Sequence, residues 1–469
     1  EGDVVREVQI CDSISYFANT VNGQCGSLIV LEHPAASRKI LGFHVAGAKG
    51  KGYANIITKE SLDKAFEVLM RDQDALWIED VVAEVEPRQP VSAQGGSQLR
   101  GLYYEGLIES QKQFRQPDRT KLRPSLIHGI YPNITAPSAL TPKAGKYPLE
   151  IAIKKASAPA VQIDPGDLEV VVQEIIGEYN ALQPVWKKRL LTLDEALNGV
   201  PSHPHINPMD MKTSAGFPYT TEAGNKGGKR SLVEWDGQHW VAVPRIQEQV
   251  ARRIALARNN TIAATLWTDV LKDERRELAK IEACNTRVFN TGPFDLSIAV
   301  RMYYGAWVGH VLSHHVDATV SVGINPLGKD WGLLYRDLRS MGPNWIAGDY
   351  SKFDKTLPRQ LTLMVADLAN AWYNDSEENK RVRRVLAETL VSRFHLANRI
   401  VYFSAHGNPS GNPLTTIINS FANEALHRLA WRELSREFDA KRLHDFDRYV
   451  CLKTFGDDSL GSVSPIIPW

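Results

Sequence analysis

The sequence predicts an α+β fold in more than one domain, on three observations. Residues 1–74 read as short strands followed by a single helix. Residues 84–98 are rich in Glu, Pro, Gln, Ser and Gly and poor in large apolar residues, which marks a linker. Beyond it, helical periodicity outweighs strand alternation. A chain of 469 residues has room for roughly two or three cores. Its 43% hydrophobic and 23% charged residues suit a folded protein. With a net charge of +1, a nucleic-acid site has to be a local basic channel. Cys11, Cys25, Cys284 and Cys451 form no CxxC pair and show no metal-ligand spacing, which fits a reduced, cytosolic setting. No apolar run is long enough for a transmembrane helix. The chain opens on Glu1 without a charged-then-apolar leader and reads as a piece of something longer.

In the first segment, strands are predicted at 28–31, 40–46 and 55–57 and a helix at 61–71. A proline-rich tract at 124–159 reads as packed loops and extended chain. Helices are predicted near 167–182, 245–258, 295–316, 359–374, 377–396 and 413–437, with strands near 345–349, 399–403 and 449–463. No internal repeat is present.

Four stretches carry chemistry. Phe455-Gly456-Asp457-Asp458 follows a strand-like run and precedes another, so two carboxylates stand at a hairpin tip. Alone this is also ordinary turn chemistry. Trp345 to Gly348 form a short strand that delivers Asp349 at its end, with Asp354 about one turn later. Pro358 then opens a helix with apolar positions Leu361, Met364, Val365, Leu368 and Trp372. Acidic residues on a strand end and a neighbouring tip suit a hard cation that shares its oxygens with phosphates. Gly407 to Asn412 form a Gly/Pro/Asn loop into a helix, with Asn412 suited to the cap and Pro413 to the first position. Thr415 and Asn419 share one side of that helix, where an interhelical hydrogen bond would also explain them. Lys272, Lys280 and Arg287 fall in a mixed-charge stretch that reads either as a solvated face or as cations for a triphosphate.

The set and its order resemble the RNA-dependent RNA polymerases of picorna-like positive-strand RNA viruses, from about Gly95 to Trp469. Thr213-Ser214-Ala215-Gly216-Phe217-Pro218-Tyr219 resembles the family's template-entry motif, and Lys272, Lys280 and Arg287 its basic fingers motif. Asp349 with Asp354, Ser410-Gly411 with Thr415 and Asn419, and Gly456-Asp457-Asp458 are similar to its three palm motifs. The resemblance implies a right-hand polymerase, with fingers and part of the palm over 99–344 and palm over 345–469, the chain stopping before a thumb. It implies that Asp349 and Asp457, supported by Asp458, bind two Mg²⁺ ions, Mn²⁺ being able to substitute. Asp354, Ser410, Gly411, Thr415 and Asn419 would read the ribose, Lys272, Lys280 and Arg287 the triphosphate, and Thr213, Ser214 and Gly216 the template. The implied partners are single-stranded RNA template, nascent RNA and nucleoside triphosphates; use of a protein primer is left open.

Residues 1–75 resemble the C-terminal barrel of the chymotrypsin-like cysteine proteases that precede the polymerase in such polyproteins. Cys25, between glycines and ahead of an apolar strand, would be the nucleophile. Thr20 and His44 would line the pocket that selects glutamine, in a protease whose substrate is the viral polyprotein. No histidine precedes Cys25, so the general base and the other barrel are absent here and no peptide cleavage is expected of the piece. By alternation, His44 points opposite Leu41, Phe43 and Val45, and a surface imidazole is the plain alternative. The linker, 76–98, contains Gln94-Gly95, a pair such a protease could cut. The implied location is the host cytoplasm, in a membrane-associated replication complex. A reverse transcriptase and a non-catalytic RNA-binding piece are the alternatives. Asp354 with Asn419 argues against the former, because a DNA-synthesising palm excludes the 2′-hydroxyl by bulk.

Overall fold

The computed structural model describes residues 13–17, 27–30, 40–48, 50–63, 77–78, 85–86, 102–108, 114–156, 161–222 and 228–467. Thr20, Cys25 and the Gln94-Gly95 pair lie outside these. The chain divides into two compact units, Glu1–Ala75 and Leu76–Trp469.

The first unit is an antiparallel sheet of four strands: Ser13–Phe17, Lys51–Ile56, Ile40–Ala48 and Leu28–Val30, in that order. A positive-φ glycine, Gly50, turns the hairpin between its two longest strands. Gly42 passes so close to Asn55 that a Cβ would stand 1.7 Å from the Asn55 carbonyl oxygen. Here the predicted strand at 55–57 is the end of a longer strand, Lys51–Ile56. Its alternating glycine, tyrosine and alanine hid it from a reading that looks for branched residues.

The second unit is built around a large core contributed mainly by helices. Pro165–Ala181, Pro244–Arg258, Phe294–Ser313, Arg359–Tyr373, Glu377–Val391 and Thr415–Phe438 form where periodicity places them. Their starts are chemically specified. Asp164 and Ser376 accept hydrogen bonds from backbone N–H groups of the first turn, and Pro165 and Pro244 open their helices. Leu361, Met364, Val365, Leu368 and Trp372 are all buried, each contributing roughly 1.5–3 kcal/mol. The fully buried Arg428 of Thr415–Phe438 pairs with Glu178 of Pro165–Ala181, with Glu424 one turn before it on its own helix, and with Asp447 of Phe446–Tyr449.

Two sheets of this unit position the site. Six strands run in the order 288–291, 266–271, 393–397, 400–404, 102–108 and 85–86. Three more, Asn344–Gly348, Asp458–Val463 and Val450–Phe455, form an antiparallel sheet in that order. Residues 393–397 are strand rather than the end of a helix, because His395 and the branched and aromatic residues around it pair with 400–404. Pro148–Ala156 is helical within the tract read as irregular, with Pro148 at its start. Helix Thr415–Phe438 begins after Leu414, so Asn412 is not the cap residue and Pro413 is not its first position. Asn412 nonetheless accepts a hydrogen bond from the Leu414 N–H at 2.6 Å.

Candidate functional site

Strand pairing brings the carboxylates together. Phe455 pairs with Asp458, leaving Gly456 and Asp457 as a two-residue loop. Gly456 has φ 65°, and Asp457 is not among the positive-φ residues, as in a type II′ turn. On the other side, Gly348 is opposite Ser459, so Asp349 emerges beside Asp458 one step further along. Burial, Asp457 and Asp349 raise the Asp458 carboxyl above the usual carboxylate range. Among the described residues no three acidic, histidine or cysteine side chains close a metal cage. Exposed Asp349 and Asp458, with half-buried Asp457 at the tip between the strands, fit a cation completed by water and phosphate oxygens.

Helix Thr415–Phe438 grips the acidic turn through its backbone. Ser420 Oγ accepts from the Gly456 N–H at 2.8 Å. Asn423 Nδ2 donates to the carbonyls of Gly456 and Asp458, both at 3.1 Å. Neither residue stood out in the sequence, although both follow Asn419 within one helical turn.

A second polar chain holds the residues assigned to ribose recognition. Asn419 Nδ2 donates to Asp354, and Asn419 Oδ1 accepts from Asn408 at 2.8 Å. Asn408 Nδ2 also donates to the Thr415 carbonyl at 2.9 Å, and Asn412 Nδ2 donates to Asn408 at 2.9 Å. Burial raises the Asp354 carboxyl, opposed by its Asn419 bond. The Thr415 hydroxyl is engaged by carbonyls of its own loop, Pro409 at 3.0 Å and Asn412 at 2.9 Å. Thr415 therefore braces the loop. Ser410 Oγ accepts from the Asn290 N–H at 3.2 Å. Asn408 and Asn412 were missed, though the paired Gly-Asn-Pro steps at 407–409 and 411–413 spell out a loop stitched by amides.

The three cations divide between two carboxylates. Arg287 Nε and Nη2 each lie 2.7 Å from Glu274, and Lys272 Nζ lies 3.3 Å from the same group. Lys280 pairs with Glu277 at 3.0 Å. Glu274 raises the Arg287 guanidinium above its ordinary value, and Asp354 and Asp457 add to this, so Arg287 is coupled to carboxylates from both of these segments. Lys280 lies on the short helix Leu278–Glu282.

Thr213 and Ser214 line a cleft of about 970 Å³ together with Ser410, Gly411 and Lys229. Lys229 donates to the Thr213 hydroxyl and to the Asp210 carbonyl, and burial lowers its pKa to about 8. Gly216, at φ 72°, comes so near Gly292 that a Cβ would stand 2.2 Å from its carbonyl oxygen. In the first unit, His44 is buried rather than at the surface, with Nδ1 2.5 Å from the Tyr16 hydroxyl.

Residues 142–468 match the family model for viral RNA-dependent RNA polymerase, and residues 6–72 that for the Tungro spherical virus-type peptidase. The replicase polyprotein of Acute bee paralysis virus is 31% identical across 95% of this chain, which covers 25% of that protein. The Rice tungro spherical virus genome polyprotein is 30% identical across 97% of this chain, which covers 14% of it. The chain thus spans a quarter or less of these two relatives. In fold it is similar to a Sicinivirus 3Dpol RNA-dependent RNA polymerase, with a TM-score of 0.62 and 23% identity over 75% of this chain and 70% of that one. The polymerase family model that matches implies divalent-metal use in general. The amide-stitched loop, the acidic turn and these likenesses agree: the chain belongs to the viral RNA-dependent RNA polymerase family and carries a cysteine-protease-like segment ahead of the polymerase.

Proposed function

We propose that the second unit performs template-directed addition of ribonucleotides, with Asp349, Asp457 and Asp458 as the reacting centre. The observation that carries this reading is the strand register that sets Asp349 beside the Gly456-Asp457-Asp458 turn. Bound divalent cations, Mg²⁺ by preference with Mn²⁺ as substitute, would activate the 3′-hydroxyl and neutralise the α-phosphate and departing pyrophosphate. Asp349 and Asp457 would hold them, and Asp458 would add negative potential. Asn419, fixed by Asn408 and Asp354, offers its amide to the 2′-hydroxyl, a group absent from DNA precursors. Arg287 and Lys272 take the triphosphate, and Thr213, Ser214 and Gly216 border the template. The test is ribonucleotide incorporation on an RNA primer–template by an enzyme carrying this chain. Asp349→Ala and Asp457→Ala should each abolish it, and retained incorporation in either would refute the assignment.

In the first unit, the proposed activity of the intact protease is cleavage after glutamine, with Cys25 as nucleophile and Thr20 and His44 in the glutamine pocket. The Tyr16 hydroxyl fixes the His44 ring, as a recognition residue requires. The proposed release point of the polymerase is Gln94-Gly95. N-terminal sequencing that begins anywhere but Gly95 would displace it. The proposed setting is a membrane-associated replication complex in the host cytoplasm. No helix among the described residues is long and apolar enough to cross a membrane.

A further inference from the structure

Four polar side chains outside the proposed chemistry form a network across the six-stranded sheet. Asp269, fully buried in Leu266–Leu271, pairs directly with Asn290 in Val288–Thr291. Its carboxylate accepts from Asn290 Nδ2 at 2.6 Å and from the Tyr402 hydroxyl at 2.6 Å, and lies 2.8 Å from His395 Nδ1. His395 and Tyr402 are cross-strand partners whose rings stack 4.7 Å apart at 6°. Burial pushes the Asp269 carboxyl upward, yet His395, Tyr402 and Asn290 hold it below the usual range. Burial also lowers His395. A neutral imidazole beside a carboxylate donates from the near nitrogen, so Nε2 is left as an acceptor. It is buried and accepts no bond among the described residues. An aspartate–histidine pair can orient a catalytic base, but no hydroxyl or thiol is bonded to this Nε2.

The outer member of the network reaches the nucleotide site. Asn290 donates its backbone N–H to Ser410 Oγ at 3.2 Å. Its carbonyl oxygen would stand 1.9 Å from a Cβ at Gly411, so the glycine loop lies directly on this strand. Among the described residues, strand Val288–Thr291 is at the edge of its sheet and pairs only with Leu266–Leu271. The bond to Asp269 is a side-chain fastening that fixes this edge. Asp354 and Asn408 line the same small cavity as Asp269, Asn290 and His395.

We propose that Asp269 and Asn290 are specificity-positioning residues: the buried carboxylate fixes Asn290, and Asn290 fixes Ser410 and Gly411 beside the incoming ribose. The inference rests on the ribose reading of Ser410, Asp354 and Asn419. It is tested by competition between GTP and dGTP for the full chain in Mg²⁺, read by displacement of a fluorescent GTP analogue. Asn290→Ala and Asp269→Asn should each lower the ribose preference by about tenfold, the scale of one lost hydrogen bond to a polar group. Mn²⁺ binding, followed by its paramagnetic resonance signal, should not change. Ser410→Ala combined with Asn290→Ala should add little to either alone. A wild-type chain without ribose preference overturns the underlying reading. A wild-type preference that survives in folded Asn290→Ala, or multiplies in the double variant, overturns the inference alone. If Asp269→Asn does not fold, Asn290→Ala decides the matter, because its side chain is only half-buried and the Ser410 contact is made by its backbone.

Discussion

Arg287 and Glu274 are joined by two parallel hydrogen bonds, each 2.7 Å, before any phosphate arrives. The guanidinium is therefore pre-oriented, and a triphosphate bound as proposed would have to compete with Glu274 for it. Glu274→Gln should tighten triphosphate binding by a few-fold and steepen its salt dependence, because Arg287 and Lys272 lose their shared counter-charge. Arg287→Ala should weaken binding by about tenfold or more. Filter binding across a salt series measures both.

Asn419→Ala should lower the preference for ribonucleotides over deoxyribonucleotides more than it lowers metal affinity. It removes the donor to Asp354 and the acceptor for Asn408, while the acidic turn keeps its bonds to Ser420 and Asn423. Incorporation ratios for paired substrates, with a Mn²⁺ titration alongside, separate the two effects. Equal loss in both would merge the ribose and metal sites into one unit.

Asn423→Ala should weaken divalent-ion binding although Asn423 touches no ion. Two backbone carbonyls of the acidic turn lose their shared donor, a cost of about 1–2 kcal/mol. The Mn²⁺ dissociation constant should rise several-fold, and Ser420→Ala should act in the same direction. Unchanged affinity in both would mean the hairpin holds its own shape.

Glu195 gives a pH signature unrelated to the site. The Arg189 guanidinium and the Thr192 backbone N–H hold its pKa down to about 2. A depressed carboxylate stabilises above the unfolded value near 4.5 and loses that contribution as pH falls toward 2. Half-exposed Arg189 is screened by water, so the pair is worth about 1–2 kcal/mol. Glu195→Gln should lower the unfolding midpoint at pH 7 and leave it unchanged near pH 2. An equal shift at both would point to packing.

The carboxylates, the glycine loop and six of the helices were legible in the sequence because each is a local signal: a turn, a Gly/Pro/Asn cluster, a period. What surrounds them was not. Glu274 stands among arginines and reads as one more surface charge, yet it organises two of the three cations. Asp269, Asn290, His395 and Tyr402 come from three separate stretches of chain, and only the strand order brings them together. Helix Lys329–Met341 was missed although it immediately precedes the strand, Asn344–Gly348, that leads into Asp349. Its glycine and its aromatic residues on the exposed side, Trp331 and Tyr335, blur the helical period.

The pairing of Asn344–Gly348 with Asp458–Val463 works as a ruler. Side chains alternate between faces along a strand, so a shift of one residue turns every group over rather than displacing it slightly. Insertions between these strands change only a connection, whereas a single added or deleted residue within either of them moves Asp349 relative to the Asp457 turn by a whole step. The spacing of the carboxylates is therefore an all-or-none property of the sheet. It cannot be tuned gradually by length, and variation among working copies should collect in the loops.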